Sequence, residues 1–140
     1  MNEARRQHFP HSADIGIRGS GPTVPEAFEQ AALALFAAVS ELDAIRPAVP
    51  VPVRCAAPSL EILLVDWLNA LIYEAGVRKM LFSRFKVEIN GSNLSASAWG
   101  EPIDRSRHML AVEPKGATFT ELKVAPNSDG GWDAQCVVDV

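Results

Sequence analysis

The sequence predicts an α+β domain, with two amphipathic helices packed on a largely antiparallel β-sheet. Two segments repeat apolar residues every three or four positions, as one-sided helices do. Most of the remainder alternates apolar and polar residues, the pattern of strands with one buried face. The order is β, α, β, α and then a run of strands, so helices and antiparallel strands are segregated along the chain.

The first strand signal is "HFPHSADIGI", residues 8–17, where two histidines and an aspartate precede an apolar run. In the first helix Val24, Ala27, Phe28, Ala31, Leu35, Phe36 and Val39 form one stripe. Thr23 is its N-cap, Glu26 completes a capping box, and Pro25 is tolerated in a first turn whose N–H groups lack helical partners. Val51, Val53 and Cys55 then alternate with Pro52 and Arg54. The second helix, "SLEILLVDWLNALIYEAG", puts Leu60, Leu63, Leu64, Trp67, Leu68, Leu71, Ile72 and Ala75 on a wide face, with Ser59 as cap and Gly76 as stop. Phe85, Val87 and Ile89 alternate with Arg84, Lys86 and Glu88, and Asn90-Gly91 is expected to turn the chain into a hairpin with Leu94, Ala96 and Ala98. "GEPIDRSRH" reads as a loop; "ATFTELKV" and "WDAQCVVDV" read as strands joined by "APNSDGG".

At 140 residues with 48% hydrophobic content, the chain suits one domain over 1–140, residues 1–7 forming a flexible N-terminal tail. A net charge of −4 argues against a general electrostatic grip on nucleic acid, so any RNA contact is expected to be indirect or local. No apolar run matches a bilayer-spanning helix, and "MNEARRQHF" lacks a signal-peptide core, so a cytoplasmic location is expected. Cys55 and Cys136 sit in alternating segments and read as small buried hydrophobes.

Asp14 in "ADIGI" and Asp139 in "CVVDV" stand out among apolar neighbours. A carboxylate among Val and Ile is ordinarily paired, hydrogen-bonded, bound to a cation or turned to water at a strand end. If their strands are neighbours the two carboxylates can meet, and a free carboxylate on Val140 would add oxygen suited to a hard cation such as Ca²⁺ or Mg²⁺.

"HSADIGIRGSGPTVPEAFEQAALALF", "LLVDWLNALIY", "FKVEI", "GEPIDRSRH" with "PKGATFTELKV", and the terminal "VVDV" resemble, in this order, the successive blocks of the archease family. The resemblance covers nearly the whole chain. It implies an α+β fold and a role as protein cofactor of the GTP-dependent RNA ligase of tRNA splicing or RNA repair, promoting guanylylation and multiple turnover. It also implies a divalent cation, Ca or Mg, held by Asp14, Asp139 and Val140, with His11 orienting the aspartate from behind. His8 reads as a surface residue. Asp104, Arg105, Arg107, His108, Lys115 and Thr118 are either a solvated loop or a supporting or partner-facing surface that meets the ligase or approaches its bound nucleotide. Where many family members continue Lys-Ala-x-Thr-Tyr-His, this chain has Phe119 and Thr120 in place of the last two, and Ser12 replaces the usual threonine of the first motif.

Two other classes fit parts of the pattern. One is a free-standing metal-dependent hydrolase with His11 or His108 as base. The other is a metal-independent, chaperone-like adaptor. The chain has no Gly-x-Ser-x-Gly elbow, phosphate-binding glycine loop, His-Glu-x-x-His or paired-cysteine motif to favour the hydrolase.

Overall fold

A computed structural model of the chain describes residues 3–11 and 14–140, and the side chains of 3–9 and 14–140. Its elements are β1 (Arg5–His11), β2 (Asp14–Gly21), α1 (Val24–Val39), a 3₁₀ turn (Leu42–Ala44), β3 (Val49–Ala56), α2 (Leu60–Arg78), β4 (Met80–Asn90), β5 (Asn93–Pro102), β6 (Gly116–Ala117), β7 (Lys123–Pro126) and β8 (Trp132–Asp139). They form an α+β fold with two antiparallel sheets. One has the order β1-β2-β8-β6, with β7 also on β8; the other is β3-β5-β4. Residues 5–7, expected in a tail, pair in β1 with Arg18, Gly19 and Ser20.

Both helices lie between the sheets. α1 packs on β2 and β4, α2 on β3, β4 and β6. Thr23 caps α1 by accepting the Glu26 N–H at 3.3 Å, while the Glu26 carboxylate accepts the Thr23 hydroxyl at 3.0 Å. Ser59 caps α2 in the same way through the Ile62 N–H. Trp67, fully buried, donates its indole N–H to the Phe28 carbonyl at 3.1 Å, which fixes α2 against α1. Around it Phe36, Phe82 and Phe85 meet in edge and tilted contacts at 5.6–6.4 Å.

The chain departs from the sequence expectation at several backbone positions. α2 does not stop at Gly76 but two residues later, where Lys79 takes the left-handed conformation and donates its N–H to the Ala75 carbonyl. The β4–β5 turn is centred on Gly91 and Ser92, because Asn90 pairs with Asn93 and only Gly91 needs positive φ, the arrangement that puts glycine first in a two-residue hairpin loop. Ser83 is an extra residue in β4: Phe82 pairs with Gly100 and Arg84 with the next residue back, Trp99. This bulge lets Phe82 and Phe85 both point into the core, three positions apart, and turns Arg84 outward. Gly100–Pro102 belong to β5 rather than to a loop. "ATFTELKV" is not one strand: β6 ends at Ala117 and β7 begins at Lys123, with residues 118–122 spanning only Cys136 and Val137 of β8. Thr118 N–H donates to Val137 O and Val137 N–H to Thr120 O across that excursion.

Candidate functional site

Strand register carries the expected ligands to one place. Ile15 pairs with Val138 on the central β2–β8 ladder, so Asp14 and Asp139 stand on the next rung, at one end of the sheet. His11 pairs with Asp14 on one side, and Gly116 with Asp139 on the other. Side chains alternate along a strand, so with Ile15 and Val138 facing the core, both aspartates belong to the opposite face. Asp14 is half-buried and Asp139 exposed. Val140 has the parity of Val138: with Ile15, Ile17, Leu35, Val112 and Pro114 it lines a small apolar crevice. Its side chain therefore anchors the chain end while its main-chain oxygens remain at the sheet end.

These groups are a carboxylate-rich, nitrogen-free donor set, the class that suits a hard divalent cation and not a soft one. Among the described residues no three His, Cys, Asp or Glu side chains converge. The side chain of His11 and all of Ser12 lie outside the described residues.

The second expected cluster is divided: Lys115 and Thr118 lie beside β8, the Lys115 N–H donating to the Asp139 carbonyl, while residues 104–108 are elsewhere and differently built. Glu101, in the "GEPIDRSRH" segment but outside the expected set, is buried. Its carboxylate accepts the Arg46 backbone N–H at 2.7 Å, the Arg107 guanidinium at 2.7 Å and His108 Nε2–H at 3.0 Å. The Arg46 N–H, joined by Arg107 and His108 and opposed by burial, holds Glu101 down at about 2. His108 Nδ1 accepts the Asp104 N–H at 2.9 Å, which makes the imidazole the neutral tautomer with its proton on Nε2, shared between Glu101 and the Ala44 carbonyl. Arg107 also reaches Ala44 O at 3.2 Å and Asp104 at 3.4 Å.

His108, expected to support the site or face a partner, is thereby turned inward, whereas Arg107 stays at the surface. His108 is 2% exposed, and both side chains are committed to closing the 103–108 loop on the 3₁₀ turn. With both ring nitrogens engaged, His108 is not available as a hydrolytic base. Thr118 is half-buried; its hydroxyl donates to Val137 O at 2.8 Å and accepts the Thr120 N–H, shaping the β6–β7 excursion. Asp104, Arg105 and Lys115 are exposed. His8, read as a partnerless surface residue, is exposed but has its Nε2 2.8 Å from the Ala34 carbonyl. What could have pointed to Glu101 is its company: an arginine and a histidine six and seven residues on, closing one turn.

A third residue outside the expected set positions β6. Asn69 of α2 accepts the Ala117 N–H at 2.8 Å and donates to its carbonyl at 3.4 Å, holding the strand that flanks Asp139.

Residues 7–140 match the model of the Archease protein family. The chain is 37% identical over 138 residues to Protein archease of Pyrococcus furiosus, covering 96% of this chain and 97% of that one. It is 36% identical over 139 residues to Protein archease of Methanosarcina barkeri, with 96% and 94% covered. The fold is similar to the solution structure of Methanobacterium thermoautotrophicum protein 1598, with a TM-score of 0.84 at 29% identity over 96% of this chain and 98% of that one. It is also similar in fold to a Thermotoga maritima structure described as an archease and possible chaperone, with a TM-score of 0.64 at 20% identity over 99% and 100%. Among the described residues no helix is long and apolar enough to cross a membrane.

Proposed function

Because this chain belongs to the archease family, we propose that it is a non-enzymatic activator of a GTP-dependent RNA ligase in tRNA splicing or RNA repair, acting through a divalent cation held at the end of the β2–β8 ladder. The observation that supports this most is the register that puts Asp14 and Asp139 on one rung from 125 positions apart in sequence, with Val140 next to them. In this reading the two carboxylates and a Val140 main-chain oxygen hold Ca²⁺ or Mg²⁺, and the cation supplies charge neutralisation at a surface that would otherwise repel a phosphate-bearing site. Gly116 and Ala117, fixed by Asn69, set the position of Asp139. Arg105 and Lys115 are the exposed cations left for contact with the ligase.

The test has two readouts. Calorimetry should show cation affinity lost in Asp14→Ala, and ligase multiple turnover should be stimulated by the wild-type protein but not by that variant. Extending the chain beyond Val140 should weaken both, whereas an N-terminal extension should not. Equal cation affinity in wild type and Asp14→Ala refutes the shared site; no stimulation of the cognate ligase by wild type refutes the activator role. Hydrolysis by the protein alone would favour the enzyme class instead.

A further inference from the structure

The outer face of the β3-β5-β4 sheet carries a surface that none of the foregoing uses. Its inner face is the core, with Val51, Val53, Ala96, Ala98, Phe85 and Val87 buried. On the outer face, register sets three rows across the strands: Pro50, Trp99 and Arg84; Pro52, Ser97 and Lys86; Arg54, Ser95 and Glu88. Neighbours in such a row stand about 5 Å apart and successive rows about 7 Å apart. Trp99 is half-buried and lies outside both apolar core clusters. The Arg84 guanidinium sits 4.7 Å from the centre of its ring. Arg84 reaches that place only because the Ser83 bulge reverses the strand's parity.

The composition of this face restricts what can cover it. It has no large aliphatic side chain, which a protein interface of ordinary affinity would place at its centre. It has one indole with a stacked guanidinium, two hydroxyls on the middle strand, and three cations against the single Glu88, in a chain whose net charge is −4. Lys86 is partly offset by Glu29, which accepts the Val87 N–H at the sheet edge; Arg54 and Arg84 have no such neighbour in an ion pair among the described residues. A planar, π-faced, phosphate-bearing ligand matches each of these features: bases stack on aromatic and guanidinium planes while cations take the phosphates.

We infer that the outer face of the β3-β5-β4 sheet binds single-stranded RNA, one base stacking at Trp99–Arg84 and the strand's phosphates meeting Arg54 and Lys86. RNA is specified over DNA by Ser95 and Ser97, hydroxyls on the middle strand that match a ribose 2′-OH in both donor and acceptor capacity. The inference goes beyond the activator role, since it concerns the protein alone and leaves the cation end of the other sheet untouched.

Fluorescence anisotropy with a labelled, unstructured 15-nucleotide RNA and the purified full chain tests it without any ligase. At low salt the wild type should bind with a Kd of about 10 µM, and affinity should fall with salt. Trp99→Ala should weaken binding about tenfold, and Trp99→Phe, which keeps a stacking plane, should restore most of it. Arg54→Ala, which removes a phosphate partner, should lower the slope of log K against log salt by about 0.7. Arg78→Ala, a cation of α2 paired with Glu74, should change neither quantity. The deoxy strand of the same sequence should bind more weakly. Absence of binding by wild type, wild-type affinity in Trp99→Ala, or an unchanged salt slope in Arg54→Ala overturns the site; equal affinity for the deoxy strand overturns its assignment to RNA. Because Arg54→Ala is a mild change on a solvent face, a failure of Trp99→Ala to fold leaves the salt slope as the test.

Discussion

Replacing Glu101 with alanine removes the acceptor of three hydrogen bonds at once: from the Arg46 backbone, Arg107 and His108. Each hydrogen bond to a charged group is worth roughly 1.5–3 kcal/mol. The Arg107 side chain is 32% exposed, so its contribution is screened and counts for little. Arg46 N–H loses its acceptor, and His108 Nε2–H keeps only the Ala44 carbonyl. Taking the two better-shielded bonds near the low end of that range gives a loss of about 3 kcal/mol. For a chain of this size that is about 10 °C in Tm. The pH dependence has a definite sign. Glu101 is depressed from 4.5 to about 2, so the stability it contributes is complete above pH 4.5 and disappears as the pH falls to 2. Thermal melts followed by circular dichroism should therefore show Glu101→Ala melting well below wild type at pH 7, with the gap closing below pH 4.5. If the two proteins melt within about 2 °C at pH 7, or if the gap is as wide at pH 2.5 as at pH 7, the carboxylate does not hold the loop in the way described.

Gly19 lies where β2 crosses α1, and a Cβ there would collide with the backbone of Ala27 and Ala31. Backbone cannot swing aside as a side chain can, so Gly19→Ala should lower the urea midpoint by the equivalent of at least about 3 kcal/mol, or leave no folded protein; a midpoint close to wild type would refute the close approach. Burial pushes the Cys136 thiol up to about 12 and, helped by Asp66, the Cys55 thiol up to about 11. Both should therefore react with a thiol reagent at pH 8 far more slowly in the native protein than in denaturant, and prompt native labelling of Cys136 would contradict its burial.

What was legible in the sequence is what local chemistry decides. Thr23 and Ser59 act within three residues of themselves, and the apolar stripes of α1 and α2 need only a core somewhere on one side. The misread positions depend on partners far along the chain. Glu101 looks like any charged residue next to a proline until Arg46, 55 positions earlier, is brought to it. Thr118 reads as exposed until Val137 supplies its acceptor, and the strand around it breaks because β8 supplies too few residues to match it. Gly76 resembles a helix stop, yet it does not take positive φ, and the left-handed cap falls on Lys79 instead. The Ser83 bulge is invisible because "MLFSRF" has no single period across it. Asp14 and Asp139 were noticed for the opposite reason: charge among apolar neighbours is conspicuous without knowing the pairing, although only the pairing brings the two together.

The two polar clusters that the sequence set apart are joined by one segment. After β5 the chain is held at Ile103 by the Lys79 carbonyl, at residues 104–108 by the Glu101 clamp, at Ala111 by the Val39 carbonyl, and at Lys115 by the carbonyl of Asp139 itself. Between the last two points Val112 and Pro114 pack in the crevice that takes Val140. The placement of the proposed cation ligands thus depends on the loop as well as on strand register. Register alone fixes Asp14, which lies in the middle of the sheet between β1 and β8. Asp139 and Val140 sit where β8 runs out, and there the loop supplies the remaining hydrogen bond and apolar contacts. A variant of Glu101 or His108 that impairs ligase stimulation would accordingly implicate the position of Asp139 and Val140, not a lost contact between those buried side chains and a partner.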